Sequence, residues 1–185
     1  MDTSCFIDKL YPAGTLRRDI YLKHCRQVAD LALEIMRGNH LPLDEREVEE
    51  AAMLHDIGIC LTDAPGIDCH GKEPYIMHGV LGGQLLREAG FSEQTARVAE
   101  RHTGAGIDEE DIRTQGLPLP PGNYMPESLL ERLVCYADKF YSKSGEMRRK
   151  PMEKVVASMA RISPSTLERF MKLREEFGSP EDTDR

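Results

Sequence analysis

The sequence predicts an all-α fold, a bundle of helices around one core. Three observations carry that expectation. Apolar residues recur at intervals of three and four along most of the 185-residue chain, the spacing of a buried helix face. No run alternates apolar and polar residues as a half-buried strand does. Capping residues, glycines and prolines punctuate the periodic stretches. The length fits a single domain over residues 1–185, with its core over about 15–177.

Taken in order, residues 1–14 read as irregular, with Pro12 and Gly14 marking a turn. Leu16 to Arg37 reads as a long amphipathic helix. Its apolar positions are Leu16, Ile20, Val28, Leu31, Ala32 and Ile35, and Gly38-Asn39 ends it. His24 falls on that apolar stripe. A second helix runs from 44 to about 57. Asp44 can cap its free N–H groups, and Glu47 stands three residues on, as in a capping box. Val48, Ala51, Ala52 and His55 share its inner face, and Gly58 is placed to end it in a left-handed turn. Asp56 lies about 100° round from His55. The two can share an ion only in a pocket closed by other helices.

Residues 59–77 read as a loop, broken by Pro65-Gly66 and Pro74. His78 opens a helix with Val80, Leu81, Leu85, Leu86 and Ala89 inside, stopped by Gly90. Ser92 caps the next, which runs to about His102, with Phe91 placed to staple onto Ala96. Residues 103–126, rich in Gly and Pro, read as a long loop and a candidate specificity lid. Glu127 to about Lys143 reads as a helix burying Leu130, Leu133, Val134 and Ala137, with Asp138 one turn past Val134. Two amphipathic segments follow, 151–161 and 164–177, the second capped by Ser163 and opened by Pro164. Residues 178–185 form a polar tail, expected to be disordered.

Composition narrows the function. A net charge of −8 argues against a nucleic-acid polymer as partner, which would need a basic stripe. A small phosphorylated molecule remains compatible if bound metal supplies local positive charge. No stretch has the ~20 apolar residues of a membrane span, and the N-terminus lacks a signal-peptide pattern. A cytoplasmic protein with no membrane partner is expected. The five cysteines are scattered and form no C-x-x-C pair, so neither a disulfide framework nor a zinc knuckle is expected. The oligomeric state stays open, a homodimer included.

The histidines carry the chemistry. His24, His55 and His102 fall on apolar helix faces, and His78 stands at a helix start, with Asp56 and Asp138 at buried edges. One buried imidazole is commonly satisfied by a carbonyl. Four together with two carboxylates point instead to first-row transition metals. In this order, His24, then His55-Asp56-Ile57-Gly58, His78, His102 and Asp138, the chain resembles the HD superfamily of metal-dependent phosphohydrolases, in its HDIG-containing branch, over about residues 15–145.

That resemblance implies an HD-domain helical bundle with its metal site between helices. His24, His55, Asp56 and Asp138 would bind one ion. His78 and His102 would bind a second, with Asp56 bridging. Two divalent transition-metal ions are implied, iron or manganese ahead of zinc, nickel or magnesium. The implied reaction is hydrolysis of a small phosphorylated substrate, a nucleotide or dinucleotide, by a hydroxide shared between the ions. Two ions about 3.5–4 Å apart can also polarise a phosphoryl oxygen. Two alternatives keep the same ligands: a di-iron HD-fold oxygenase and a non-catalytic module that binds metal or nucleotide. No Gly-Tyr-Pro signature follows the His-Asp pair, which argues against the HD-GYP phosphodiesterases.

Other residues are candidates by position. Asp56 is expected to be catalytic as the shared ligand. Lys139, directly after Asp138, is a candidate for catalysis and for contact with a substrate phosphate. Arg17, Lys72 and Arg101 are further phosphate candidates. His70, on the 59–77 loop, is a candidate general acid for the leaving group.

Overall fold

A computed structural model describes residues 2–180. They form the expected all-α domain. Among them the helices are α1 (Thr3–Leu10), α2 (Leu16–Gly38), α3 (Glu45–Leu54), α4 (His78–Glu88), α5 (Glu93–Arg101), α6 (Glu109–Gln115), α7 (Leu129–Asp138), α8 (Met152–Ile162) and α9 (Pro164–Phe177). A two-residue hairpin, β1 (Asp63–Ala64) against β2 (Cys69–His70), is the only sheet among the described residues.

The strong caps fall where the sequence places them. Asp44 accepts hydrogen bonds from the N–H groups of Arg46 and Glu47. Ser92 accepts from Thr95 and Ser163 from Thr166, each at 3.0 Å. Each cap satisfies an N–H that the helix itself leaves without a partner.

Several boundaries differ from expectation. Residues 3–10 are helical, not irregular. Asp2 caps α1 by accepting from the Cys5 N–H, and Phe6 and Ile7 are buried. Inside the expected 103–126 loop, Asp108 and Asp111 form a reciprocal capping box that starts α6. α7 stops at Asp138, five residues early, because Lys139 turns its N–H onto the Tyr136 carbonyl. α3 stops at Leu54, and the chain passes through His55 and Asp56 into a tight turn over Ile57–Leu61. At the start of the tail, the Tyr136 hydroxyl donates to the Gly178 carbonyl at 2.6 Å, which ties that residue down. The rest of the expected tail, residues 181–185, lies outside the described residues.

Two apolar clusters make the core. One joins α2, α3, α5, α7, α8 and α9 through residues such as Leu31, Val48, Val98, Leu133 and Phe170. Its centre is Tyr136, whose ring lies 5.2–5.6 Å from Phe140, Phe170 and Phe177. The other joins α1, α2, α4, α5 and the end of α3 to the turn that follows it, through Phe6, Tyr21, Leu54, Ile57 and Leu86. Helices α2, α3 and α5 contribute to both clusters, so the seam between them runs along these helices.

The buried face of α4 is not the leucine face expected from the sequence. Gly79, Gly82 and Gly83 are buried with His78 and Leu86, while Val80, Leu81 and Leu85 are only partly covered. The reason is a close backbone approach. Gly58 does not end a helix in a left-handed turn. It lies in the turn after α3 and meets α4 head on. A Cβ there would stand 2.5 Å from the Gly82 nitrogen and closer still to the His78 carbonyl. Replacing Gly58 by alanine therefore forces α4 away from the turn. Overpacking of this kind costs about 1–3 kcal/mol, which lowers the melting temperature of a domain this size by about 3–10 °C. Differential scanning calorimetry of Gly58→Ala checks this, and an unchanged transition would contradict the close approach.

Candidate metal centre

The seam between the two clusters is where the histidines meet. α2 delivers His24, the end of α3 delivers His55 and Asp56, and α4 opens on His78. α5 ends one residue before His102, and α7 ends at Asp138. All six side chains are buried. Helix ends suit this role because their carbonyls and N–H groups are free to orient a side chain.

Three of the rings are aimed by the same device. His55 Nδ1 lies 2.6 Å from the Ala52 carbonyl, His78 Nδ1 2.6 Å from that of Tyr75, and His102 Nδ1 2.8 Å from that of Ala99. A carbonyl only accepts, so each Nδ1 carries the proton and each Nε2 turns a lone pair inward.

The inward atoms form two groups. In the first, His24 Nε2 lies 3.1 Å from Asp56 Oδ2 and 3.0 Å from Asp138 Oδ1. His55 Nε2 lies 3.2 and 3.5 Å from the same two oxygens. In the second, His78 Nε2 and His102 Nε2 stand 3.5 and 3.3 Å from Asp56 Oδ1. The ligand atoms of each group lie within 4.8 Å of one another. Asp56 belongs to both, one oxygen to each.

This geometry fits metal ions. The buried Nε2 atoms of His24 and His55 and Oδ1 of Asp56 have no hydrogen-bond partner, and Asp56 Oδ2 has only the Lys143 ammonium at 2.7 Å, which is costly unless something else satisfies them. His78 Nε2 and His102 Nε2 face each other at 3.0 Å with their protons on the opposite side of each ring. Two lone pairs at that range repel, and a cation between them and Asp56 removes the conflict. Neutral imidazoles with a carboxylate are the donor set of first-row transition metals.

The electrostatics agree. Burial alone would raise the Asp56 carboxyl, but Lys143 and His55 beside it hold it well below the usual carboxylate range. Burial would likewise raise Asp138, and Lys139, His24 and His55 hold it low. Burial, with His102 facing it, pushes His78 down to about 3, so its ring is neutral at pH 7. His55 goes the other way. Burial disfavours its charge, but Asp56 and Asp138 outweigh that and raise it well above its ordinary value. A divalent ion between the same groups would take over that positive charge and release the proton.

The other candidate residues are placed as follows. Lys139 is buried, with its ammonium on Asp138 Oδ2 at 2.7 Å and on the His102 carbonyl at 2.8 Å. It braces ligands of both groups, and those partners occupy it. Arg101 is largely covered and donates to the Met125 carbonyl at 2.7 Å beside Glu127. Its guanidinium is held by these partners and by Glu131 rather than by the ligands. Arg17 shares a small internal cavity with Lys143, Ile67 and Cys69, and its backbone N–H donates to Asp68. Lys72 and His70 are exposed, and His70 faces Asp68 at 3.3 Å. Neither joins the two ligand groups. The 103–126 segment is pinned to α9 by Arg169, which pairs with Asp108 and Asp111. An open mouth is lined by Gly66, Ile67, Tyr75, Ser142, Lys143 and Ser144, of which Lys143 also meets Asp56 and Tyr75 also meets His78.

Two residues had no signal of this kind in the sequence. Lys143 reaches back from the turn after α7 to place its ammonium 2.7 Å from Asp56 Oδ2. Tyr11, at the end of α1, donates to the Ile57 carbonyl at 3.1 Å and accepts from the Cys60 N–H at 3.2 Å. It clamps the turn that carries Asp56. The Asp2 cap and the Phe6, Ile7, Leu10 spacing would have revealed α1, but nothing local reveals the reach of Lys143.

An all-α bundle with two buried His/Asp groups sharing one carboxylate defines a helical domain that fits divalent metal binding. The chain belongs to the HD-domain family, whose family model matches residues 21–142. An uncharacterised protein of Methanocaldococcus jannaschii is 39% identical over 120 residues, 63% of each chain. Two relatives carry the name tRNA (cytidine(56)-2'-O)-methyltransferase. The one from Thermoplasma volcanium is 32% identical over 169 residues, 91% of this chain and 44% of its own length. The one from Picrophilus torridus is 33% identical over 124 residues, 67% of this chain and 32% of its own. The similarity thus spans less than two thirds of each of these curated relatives. No solved structure matches the chain. No helix among the described residues is long and apolar enough to cross a membrane.

The shared carboxylate sets the expected metal stoichiometry. Elemental analysis should find two ions per chain in the native protein and one in His78→Ala or His102→Ala. Asp56→Ala should hold none, or one loosely. Full two-ion occupancy in Asp56→Ala would refute the sharing. Because the ligands must shed protons, apparent affinity at the first group should weaken as pH falls. Metal titrations at several pH values check the sign.

Proposed function

We propose that the protein is a metal-dependent phosphohydrolase of the HDIG-containing branch, acting on a small phosphorylated substrate such as a nucleotide or dinucleotide. The observation that carries this reading is Asp56, one buried carboxylate aimed at two groups of histidines at once. His24, His55, Asp56 and Asp138 would hold one ion, and Asp56, His78 and His102 the other. Two such ions would supply Lewis acidity toward a phosphoryl oxygen and would activate a water as nucleophile.

The chain's own residues do the rest. Nδ1 bonds to carbonyls keep three rings in the metal-binding tautomer. Lys139 positions Asp138 and the end of α5. Arg17 lies near the mouth, where a guanidinium can pair with a phosphate bidentately. The mouth, a cavity of about 360 Å³, is at the lower end of the range for small-molecule sites and supports a compact substrate. Iron and manganese suit the donor set best. The methyltransferase names belong to relatives more than half of whose length lies outside the match. The His/Asp donor set of this chain supports hydrolysis rather than methyl transfer.

The test is a panel of phosphomonoesters, nucleotides and dinucleotides with protein loaded with manganese or iron. Release of phosphate or nucleotide is expected, falling at least about 10³-fold in Asp56→Ala. No release from any member would overturn the reading. Oxygen consumption with an organic substrate would redirect it to the oxygenase.

A further inference from the structure

Lys143 has no part in the ligand set, yet its ammonium lies 2.7 Å from Asp56 Oδ2. That oxygen also faces His24 Nε2 at 3.1 Å and His55 Nε2 at 3.2 Å. An ion held by these three atoms would stand beside the ammonium. Like charges at such range, in a buried site, repel strongly. Lysine answers this readily, because its charge rides on a flexible four-carbon stem.

What lies outward is the mouth. Lys143 lines the cavity of about 360 Å³ together with Tyr75, Ser142 and Ser144. Tyr75 connects that cavity to the second group of ligands. Its ring lies 4.7 Å from that of His78, and its carbonyl accepts the His78 Nδ1 proton. Arg17 shares the adjoining internal cavity with Lys143, and its buried Nε has no partner. A chain of net charge −8 thus gathers two cations, Lys143 and Arg17, around adjoining cavities next to its metal ligands' partners.

We propose that Lys143 anchors the substrate's phosphate. Its ammonium gives up Asp56 when metal ions bind and meets a phosphoryl oxygen in the mouth. Metal and Lys143 are therefore competitors for Asp56 Oδ2, and Lys143 and the metals are partners for phosphate. The inference rests on the phosphohydrolase reading above and adds the residue that recognises the leaving or transferred phosphate.

Calorimetric titration of manganese, then of inorganic phosphate, tests both halves in wild type, Lys143→Met and Lys143→Arg. Lys143→Met should still hold two ions and bind the first at least about threefold more tightly, since its competitor is gone. Its affinity for inorganic phosphate, once loaded, should fall by about tenfold or more, the loss of one charge-assisted hydrogen bond. Lys143→Arg keeps the charge and should recover most of the phosphate affinity. Unchanged phosphate affinity in a two-ion Lys143→Met protein overturns the proposal. So does loss of metal from Lys143→Met, which would make Lys143 a support for the ligands. A loaded wild type that binds no phosphate and hydrolyses no ester removes the phosphohydrolase reading itself. That outcome is distinct from an unchanged variant beside an active wild type.

Discussion

A carboxylate with no exposure to solvent is the constraint on which this structure turns. Burying Asp56 unpaired would be prohibitive. The fold surrounds it with four imidazoles and one ammonium, drawn from five stretches of chain. Each of those stretches has to stop or start at the right place. α3 ends just before His55, α4 begins on His78, α5 ends just before His102, and α7 ends on Asp138. The helix lengths are thus set by the needs of one oxygen pair as much as by local propensity.

The site and the core are accordingly one system. The second apolar cluster exists to hold the turn after α3. Tyr11 and Tyr21 stack with ring centroids 4.0 Å apart, and their hydroxyls reach the carbonyls of Ile57 and Met53. These bonds flank His55 and Asp56 on both sides. Breaking them would free the ligands without touching one. Ions that bind only the folded arrangement add their binding energy to stability.

The residues with strong periodic context were legible in the sequence. His24 sits on the long apolar stripe of α2, and His55 and His102 follow from the spacing of α3 and α5. The Asp44, Ser92 and Ser163 caps were legible because a single side chain decides each. Short helices were not. α1 and α6 have only eight and seven residues, and nearby glycines and prolines masked their caps. Gly58 is ambiguous in sequence because glycine has two uses, backbone freedom and closeness, and only a neighbouring helix tells them apart. The buried face of α4 is hidden in the sequence for the same reason. Leucines mark a buried face only where side chains, rather than backbones, make the contact. Arg101 and Lys139 show a further limit. Sequence places a cation beside a ligand but does not say which acid or carbonyl it will find. Lys143 is the converse case, a long side chain folding back over five residues.

The glycine contact between α4 and the turn after α3 reaches beyond packing. His78 hangs from one side of that contact and Asp56 from the other, with main chain pressed on main chain between them. Main chain cannot switch rotamers to relieve a misfit. The gap available to a pair of cations is therefore stiff, fixed by atomic radii rather than by adjustable side chains. An oversized ion such as calcium, which prefers many oxygens at longer range, would have to pry two backbones apart to enter.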